Sequence, residues 1–504
     1  MKILKFPDFI TVEAEEKDAS DAKVRIENNG GKLQVFLRAE KCRPRFIRLV
    51  WKTATEPDAR IYGDAWERTY ADSQWLGLNP ERVMPWYFLC RENERVTAVG
   101  IMVQPASFVS WTVSGDEVTA TLDVRCGGCG VELDGRELLA AEIISREYTG
   151  SAFAAACDFC EVLCPAPLLP EKPVYGGNNW YYAYGKSSRE DILHDAEYQA
   201  VLTEGLENRP FMVMDDGWQL DYGTGPWLPR ASFGDMAEIA AHMKEMEVRP
   251  GLWIRYLCDD RDSIPDDWRL PHRNINNGSH RDPLDPSRPE VLELITQNTR
   301  RVVGWGYELI KHDFTTFDSF ADYGKDKSII TEDGWTFYDR HRTSAEIILN
   351  LYRTILNAAG NAMILGCNTV SHLCAGLVHL NRIGDDTSGT EWDRTYKYGV
   401  NTLAFRLPQN NRFYSIDADC VGIIPGKIDW EKNRQWLRLL SRSGSPLFVS
   451  CAKDSLTPEQ FSEMREAYRH AADQKDLLEP LDWEETMTPE HWKLQNGEEL
   501  VFNW

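Results

Sequence analysis

The chain lacks a stretch of about 18 consecutive apolar residues, so it offers no candidate membrane-spanning helix. It lacks basic excess: 56 Lys and Arg stand against 79 Asp and Glu, a formal charge of −23. That speaks against a phosphate-backbone partner and against an anionic membrane surface, both of which call for a basic patch. The opening Met1–Ser20 has no apolar core of the kind that export signals carry, because Pro7, Asp8 and Glu13–Glu16 interrupt it. With 12 Cys and no such signal, a reduced, cytoplasmic protein is expected, its thiols free. Cys126-Gly-Gly-Cys129 and Cys157, Cys160 and Cys164 have zinc-like spacing, but no His sits at a matching distance and Cys126–Cys129 falls in a hairpin pattern. There is no internal repeat and no low-complexity stretch.

What is abundant is aromatic surface: 18 Trp, 19 Tyr and 19 Phe in 504 residues. Large cores explain such a load, and so does carbohydrate binding, in which the C–H faces of a sugar pack on flat rings. The length predicts two or three domains.

Residues 1–165 alternate with a period of two, as in Lys32–Leu37, Arg45–Trp51, Val96–Val103 and Val118–Val124, with turns such as Asn29-Gly30-Gly31 between runs. This pattern predicts an antiparallel β-sandwich. Four prolines within Cys164–Pro173 then mark a linker.

From 166 to 474 short apolar runs alternate with helix-period segments. The runs are Val174–Trp180, Pro210–Met214, Arg249–Ile254, Tyr307–Lys311, Ala362–Cys367, Val378–Ile383, Phe413–Ile416 and Pro446–Val449. The helical segments are Arg189–Thr203, Met236–Met246, Pro289–Val303, Tyr338–Ala358, Trp392–Ala404, Trp430–Ser441 and Pro458–Ala472. Eight such units predict a (β/α)₈ TIM barrel in the α/β class. A doubly wound sheet would want a Gly-rich phosphate loop after its first strand, and Gly176-Gly-Asn-Asn-Trp180 is not one. Residues 475–504 predict a short C-terminal β segment, one hairpin turning at Gln495-Asn-Gly497.

In such a barrel the chemistry sits where the strands end. Lys311 and Asp313, two apart on the fourth run, face the same side, and the ammonium would keep the carboxylate ionised. An ionised carboxylate in a sugar pocket is a nucleophile; otherwise the pair is a strand-end salt bridge. Arg382 precedes Asp385 and Asp386, which supply a second carboxyl of the kind glycosidases require, unless one of them caps the next helix. Asp215 and Asp216, followed by Gly-Trp-Gln, suit sugar hydroxyls, or cap a turn. Acid clusters also hold Mg²⁺ or Ca²⁺, but Lys311 and Arg382 lie among these acids, so neither metal nor cofactor is expected. His312 points away from Lys311 and Asp313 and is expected in the core.

The motifs taken together resemble the α-galactosidase clan, glycoside hydrolase families 27 and 36, with family 36 the nearer. They are Asp215-Asp-Gly-Trp218, Gly251-Leu-Trp253, Lys311-x-Asp313, Gly366-Cys367, Arg382-Ile-Gly-x-Asp386 and Asp417-x-Asp419. The resemblance spans Asn178 to Asp419, and a sandwich before the barrel is also similar to family 36. It implies a retaining exo-α-glycosidase with Asp313 as nucleophile and Asp386 as general acid/base, their carboxyls about 5–5.5 Å apart. It implies that Asp215 and Asp216 bind the 4- and 6-hydroxyls, that Lys311 bonds a ring hydroxyl and that Arg382 lies near the 2-position or the nucleophile. Trp180 and Trp253 would wall the pocket, Cys367 would line its floor, and Asn368 would lie on the side of the 2-position. A sandwich loop reaching the mouth would bring Asp64–Trp66 or Trp75 to the wall.

The sequence departs from the family pattern at Gly251-Leu-Trp-Ile-Arg255-Tyr256, where an aromatic, Glu and Pro usually follow. It departs again at Gly366-Cys-Asn-Thr-Val-Ser371, which lacks a Gly-rich run, and in a shorter C-terminal part. The expected partner is a small-molecule or oligosaccharide substrate. Oligomeric state stays open, the sandwich supplying a surface for a homo-oligomer. Alternatives are an α-N-acetylgalactosaminidase, an α-galactosyl transferase of the same clan, an α-glucosidase-like barrel and a sugar-binding barrel without catalysis.

Overall fold

The computed structural model describes residues 1, 4–271, 280–320, 330–473 and 478–504. Two antiparallel sheets form the N-terminal sandwich. One orders its five strands Phe9–Ala14, Pro44–Lys52, Glu117–Asp123, Phe108–Val113 and Met84–Pro85. The other runs Lys23–Asn29, Lys32–Arg38, Leu138–Thr149, Arg95–Ile101, Tyr87–Glu92, Arg60–Gly63 and Leu76–Gly77. The pleat sorts the side chains: Leu33, Val35 and Leu37 are buried while Lys32, Gln34 and Phe36 between them are half-exposed. Trp51, Trp66, Trp75, Trp86 and Trp111 are all buried, so the sandwich tryptophans are core. Trp66 meets Trp86 edge to face at 5.0 Å.

One helix, Ala152–Leu163, was not foreseen within the sandwich. Ser151 caps it by accepting from the Ala154 N–H, and its Ala- and Cys-rich face packs on strand Arg95–Ile101. Cys126 and Cys129 face each other across a tight turn, each donating its N–H to the other's carbonyl. Every cysteine is a free thiol, and no metal-ligating cluster occurs among the described residues.

The barrel strands are all parallel: β1 Tyr175–Asn178, β2 Phe211–Met214, β3 Arg249–Ile254, β4 Leu309–His312, β5 Met363–Gly366 and β6 Leu380–Arg382. β7 comes in two pieces, Ser415–Asp417 and Cys420–Gly422, and β8 is Leu447–Ser450. The first piece of β7 pairs with β6 and the second with β8, which pairs back to β1, so the ring closes through a broken strand. The break falls at Ala418-Asp419, where Asp419 has φ +75°. The eighth element was therefore correctly expected, but the seventh continues past Phe413–Ile416.

Helices Arg189–Leu202, Met236–Glu245, Pro289–Gly304, Ser344–Ala359, Trp392–Arg406, Trp430–Leu440 and Pro458–Ala472 surround the ring. The segment expected from Tyr338 starts at Ser344, because Thr343 and Glu346 close a capping box there. After β5 only one turn, Ser371–Cys374, is helical. The C-terminal residues form the expected hairpin, His491–Leu494 with Glu499–Val501, and a third strand, Leu478–Pro480, joins it. The expected boundary at 474/475 lies outside the described residues. No described helix is long and apolar enough to cross a membrane.

Candidate active site

A cavity of about 400 Å³ opens at the C-terminal ends of the barrel strands. It is lined by all ten residues picked from the sequence: Asp313, Asp386, Asp215, Asp216, Lys311, Arg382, Trp180, Trp253, Cys367 and Asn368.

Asp313 follows β4 at the bottom. The Trp253 indole N–H donates to its Oδ2 at 3.1 Å. Its Oδ1 accepts from the Asn368 amide at 2.5 Å and the Phe314 backbone N–H at 2.7 Å. Phe314 has φ +64°, strained for a bulky residue, and that turn is what aims its N–H at the carboxylate. Burial alone would raise the Asp313 pKa. The Lys311 ammonium, Trp253, Asn368 and the Arg68 guanidinium outweigh it and hold the carboxyl below its ordinary range.

Lys311 donates to Asp215 at 2.7 Å, and the Asn178 amide donates to the same oxygen at 2.7 Å. The ammonium thus pairs with the carboxylate after β2, and reaches Asp313 after β4 only through its field. Asp216 accepts from Gln219 at 2.6 Å and from the Gly223 N–H at 3.3 Å. Burial, helped by repulsion from Asp215, pushes Asp216 up to about 6. Gly217 has φ +108°, and a side chain there would strike the Gly185 backbone, so glycine is required for this turn.

Asp386 accepts from Arg382 at 2.9 Å. Arg382 is itself gripped by Asp419 at 2.5 Å, and Asp419 also accepts from Tyr181 and from Thr387. Burial would raise Asp386; Arg382 and Arg68 prevail over both burial and the repulsion of Asp313, and its carboxyl too is held below the ordinary range. Asp385 is turned away from the cavity. It pairs with Arg68 at 3.2 Å and Arg394 at 3.1 Å and accepts the Asp386 N–H at 2.8 Å. Neither acid caps the following helix, which begins at Trp392 after Glu391.

His312 is buried on the far side of β4, between Tyr256 and Tyr352, and burial lowers it to about 4; it is a core residue.

The sequence reading missed Arg68, Tyr181, Tyr222, Arg255 and Asp419 as pocket residues. Asp419 ends the Asp417-x-Asp419 motif and had a signal. Arg68 had none, since only the docking of the sandwich puts it there. Thr69 donates its N–H to the Ile383 carbonyl at 2.9 Å and its carbonyl accepts from Asp385 at 3.0 Å, which threads the segment alongside the end of β6. A sandwich loop does reach the mouth, but with Arg68 and not with the residues expected. Asp64 is locked to Arg406 at 2.9 Å with neither side chain exposed, Trp66 packs on Trp86 and Phe108, and Trp75 packs on Trp483.

No family model and no curated protein matches this sequence. Solved structures do match. An α-galactosidase from Thermus thermophilus in complex with p-nitrophenyl α-D-galactopyranoside superposes with a TM-score of 0.67 at 17% identity, over 99% of this chain and 98% of that one. The chain has the fold of the family 36 α-galactosidases.

A second such enzyme, from Geobacillus stearothermophilus with 1-deoxygalactonojirimycin, matches with a TM-score of 0.63 at 13% identity, covering 92% of this chain and 69% of that one. A family 31 dextranase from Flavobacterium johnsoniae with glucose is more distant, with a TM-score of 0.55 at 10% identity over 96% and 66%. Against this family 36 fold the Arg255 departure has a plain structural use. Arg255 forks onto Asp318 at 2.6 Å and stacks 4.4 Å over the Phe314 ring, bracing the turn that carries Asp313.

Proposed function

We propose that the protein is a retaining exo-α-galactosidase, removing terminal α-linked galactose from a small or oligomeric glycoside. The observation that carries this reading is the pairing within one cavity of an ionised, hydrogen-bonded Asp313 with Asp386, beside the two sugar-binding carboxylates Asp215 and Asp216. Structures of similar fold in complex with an aryl α-galactoside and with 1-deoxygalactonojirimycin support it.

Asp215, Asp216 and Lys311 hold the sugar's 4- and 6-hydroxyls and a ring hydroxyl, with Trp180 and Trp253 as walls. Asp313 Oδ2, which takes one protein donor where Oδ1 takes two, attacks the anomeric carbon. The bond to the leaving oxygen breaks as Asp386 delivers its proton to that oxygen. Water then attacks the anomeric carbon of the glycosyl-Asp313 ester, Asp386 takes the water's proton, and Asp313 departs as a carboxylate. The charge on Asp313 bears on both duties of Asp386. While present it opposes the pull of Arg382 and Arg68 without overcoming it, so the protonated acid that starts the reaction is the minor form in the free protein; once Asp313 is esterified that opposition is gone, and Asp386 becomes a base.

The test is hydrolysis of p-nitrophenyl α-glycosides (galactoside, N-acetylgalactosaminide, glucoside, arabinopyranoside) by the protein and by its Asp313→Ala and Asp386→Ala variants. The first-formed sugar anomer is read by NMR. Galactoside cleavage with an α-anomer product, lost in Asp313→Ala, is the expected result. A β-anomer would mean inversion, and cleavage of another glycoside alone would reassign the sugar.

A further inference from the structure

Arg68 borders two cavities. One is the barrel pocket; the other, about 380 Å³, lies within the sandwich among Trp66, Tyr70, Ser73, Gln74, Asn79 and Met84. We propose that this second cavity is a subsite for a neutral sugar of the leaving group, an assignment that rests on the functional reading above.

Direction comes first. The acid that protonates the leaving oxygen marks the side of the pocket by which the leaving group departs. Asp386 is that acid, and Arg68 lies against it at 3.7 Å. The groups proposed to grip the terminal sugar, Asp215, Asp216 and Lys311, belong to β2 and β4, whereas Asp386 follows β6 at the sandwich. The remainder of the substrate therefore extends past Arg68, where the second cavity lies.

Chemistry comes second. The charged groups around the cavity are engaged with protein. Asp64 is paired with Arg406 and accepts from Gln409, Asp72 accepts the Tyr70 N–H at 3.1 Å, and Arg82 donates to the Ile61 and Gln74 carbonyls at 2.8 and 3.3 Å. Arg68 is held by Asp385 and lies over the Tyr70 ring at 5.3 Å. The uncharged lining includes Ser73, Gln74 and Asn79, which carry a hydroxyl and primary amides, together with Tyr70, Met84 and Pro85. Amides and hydroxyls meet sugar hydroxyls as both donors and acceptors, and an aromatic face packs on the C–H face of a ring. The volume falls within the roughly 300–1,000 Å³ of small-molecule sites.

The experiment compares two substrates on the full chain: p-nitrophenyl α-galactoside, whose leaving group is one small ring, and stachyose, a tetrasaccharide with a terminal α-galactose. In Gln74→Trp, which fills the cavity, the ratio of kcat/KM for stachyose to that for the aryl galactoside should fall about tenfold, the size of one or two lost hydrogen bonds. If Gln74→Trp does not fold, Gln74→Ala combined with Asn79→Ala takes its place, with a fall of the same order. A ratio within twofold of the unaltered protein overturns the subsite while leaving the glycosidase reading intact. Failure of the unaltered protein to cleave the aryl galactoside overturns that reading, and the subsite with it.

Discussion

The Arg255 guanidinium lies 2.6 Å from the Asp318 carboxylate, and neither side chain is more than 1% exposed. Arg255 directly follows β3 and Asp318 lies on the short helix Thr315–Phe320 after β4, so the pair bolts together two neighbouring strand ends. Asp318→Ala would leave a buried guanidinium without its counter-charge, which costs about 3–5 kcal/mol. Denaturant unfolding should show that loss. Because Arg255 also stacks on Phe314, the same variant should lose kcat more than it raises KM for an α-galactoside. An unchanged unfolding midpoint would mean that the pair is not a strut.

Trp253 offers a finer test of Asp313 as the proposed nucleophile. Trp253→Phe keeps a ring in the wall and removes the N–H that donates to Asp313 Oδ2. A hydrogen bond to a charged group is worth about 1.5–3 kcal/mol, or roughly 1–2 pH units. Losing a donor to the ionised form raises the carboxyl pKa. The acid limb of the kcat/KM profile should therefore move to higher pH by about that amount.

Asp216 predicts a pH effect on binding. Burial raises it to about 6, so acidification through that value protonates it and removes acceptor capacity from the sugar's hydroxyls. KM for the galactoside should rise as pH falls below about 6. In Asp216→Asn the KM at neutral pH should already be high, and the pH step should be gone.

His372 gives a stability prediction independent of catalysis. Its ring stacks 5.1 Å from Trp86, its Nε2 donates to the Ile101 carbonyl at 2.7 Å, and burial lowers it from 6.5 to about 4. Between those values the unfolded chain binds a proton there that the folded protein does not, so acidification from pH 7 to 4 erodes stability through this group. The loss is about 3 kcal/mol for one such shift. His372→Gln keeps a donor for Ile101 and should flatten the decline by about that amount, measured as unfolding free energy at the two pH values. Buried Asp195 and Asp216 titrate in the opposite sense, their raised values favouring the folded state as pH falls, so the difference between variant and parent isolates His372.

Much of the barrel and its mouth was legible because both follow local rules. Short apolar runs such as Phe211–Met214 end in polar clusters, and Thr457 with Gln460 announces a helix start; Thr343 with Glu346 announces another, which the expected start at Tyr338 overlooked. Where the reading failed, the cause was not local. Helix Ala152–Leu163 has the small and Cys-rich composition of a strand-facing slab, and its neighbours select its conformation. The break at Ala418-Asp419 depends on Asp419 swinging in to hold Arg382. Nothing local marks Arg68, or names the partner of Arg255, because long-range packing supplies Asp386 and Asp318.

The backbone bridge between Thr69 and Gly384 has a consequence for how the chain can be divided. A cut in the proline-rich stretch would separate two units that look modular. Yet the excised barrel would carry Arg406 without Asp64, Asp385 without Arg68, and a strand end stripped of its neighbour. The sandwich is thus no accessory: the candidate site is built from both parts, and a graft or truncation that respects the linker would still cut through it.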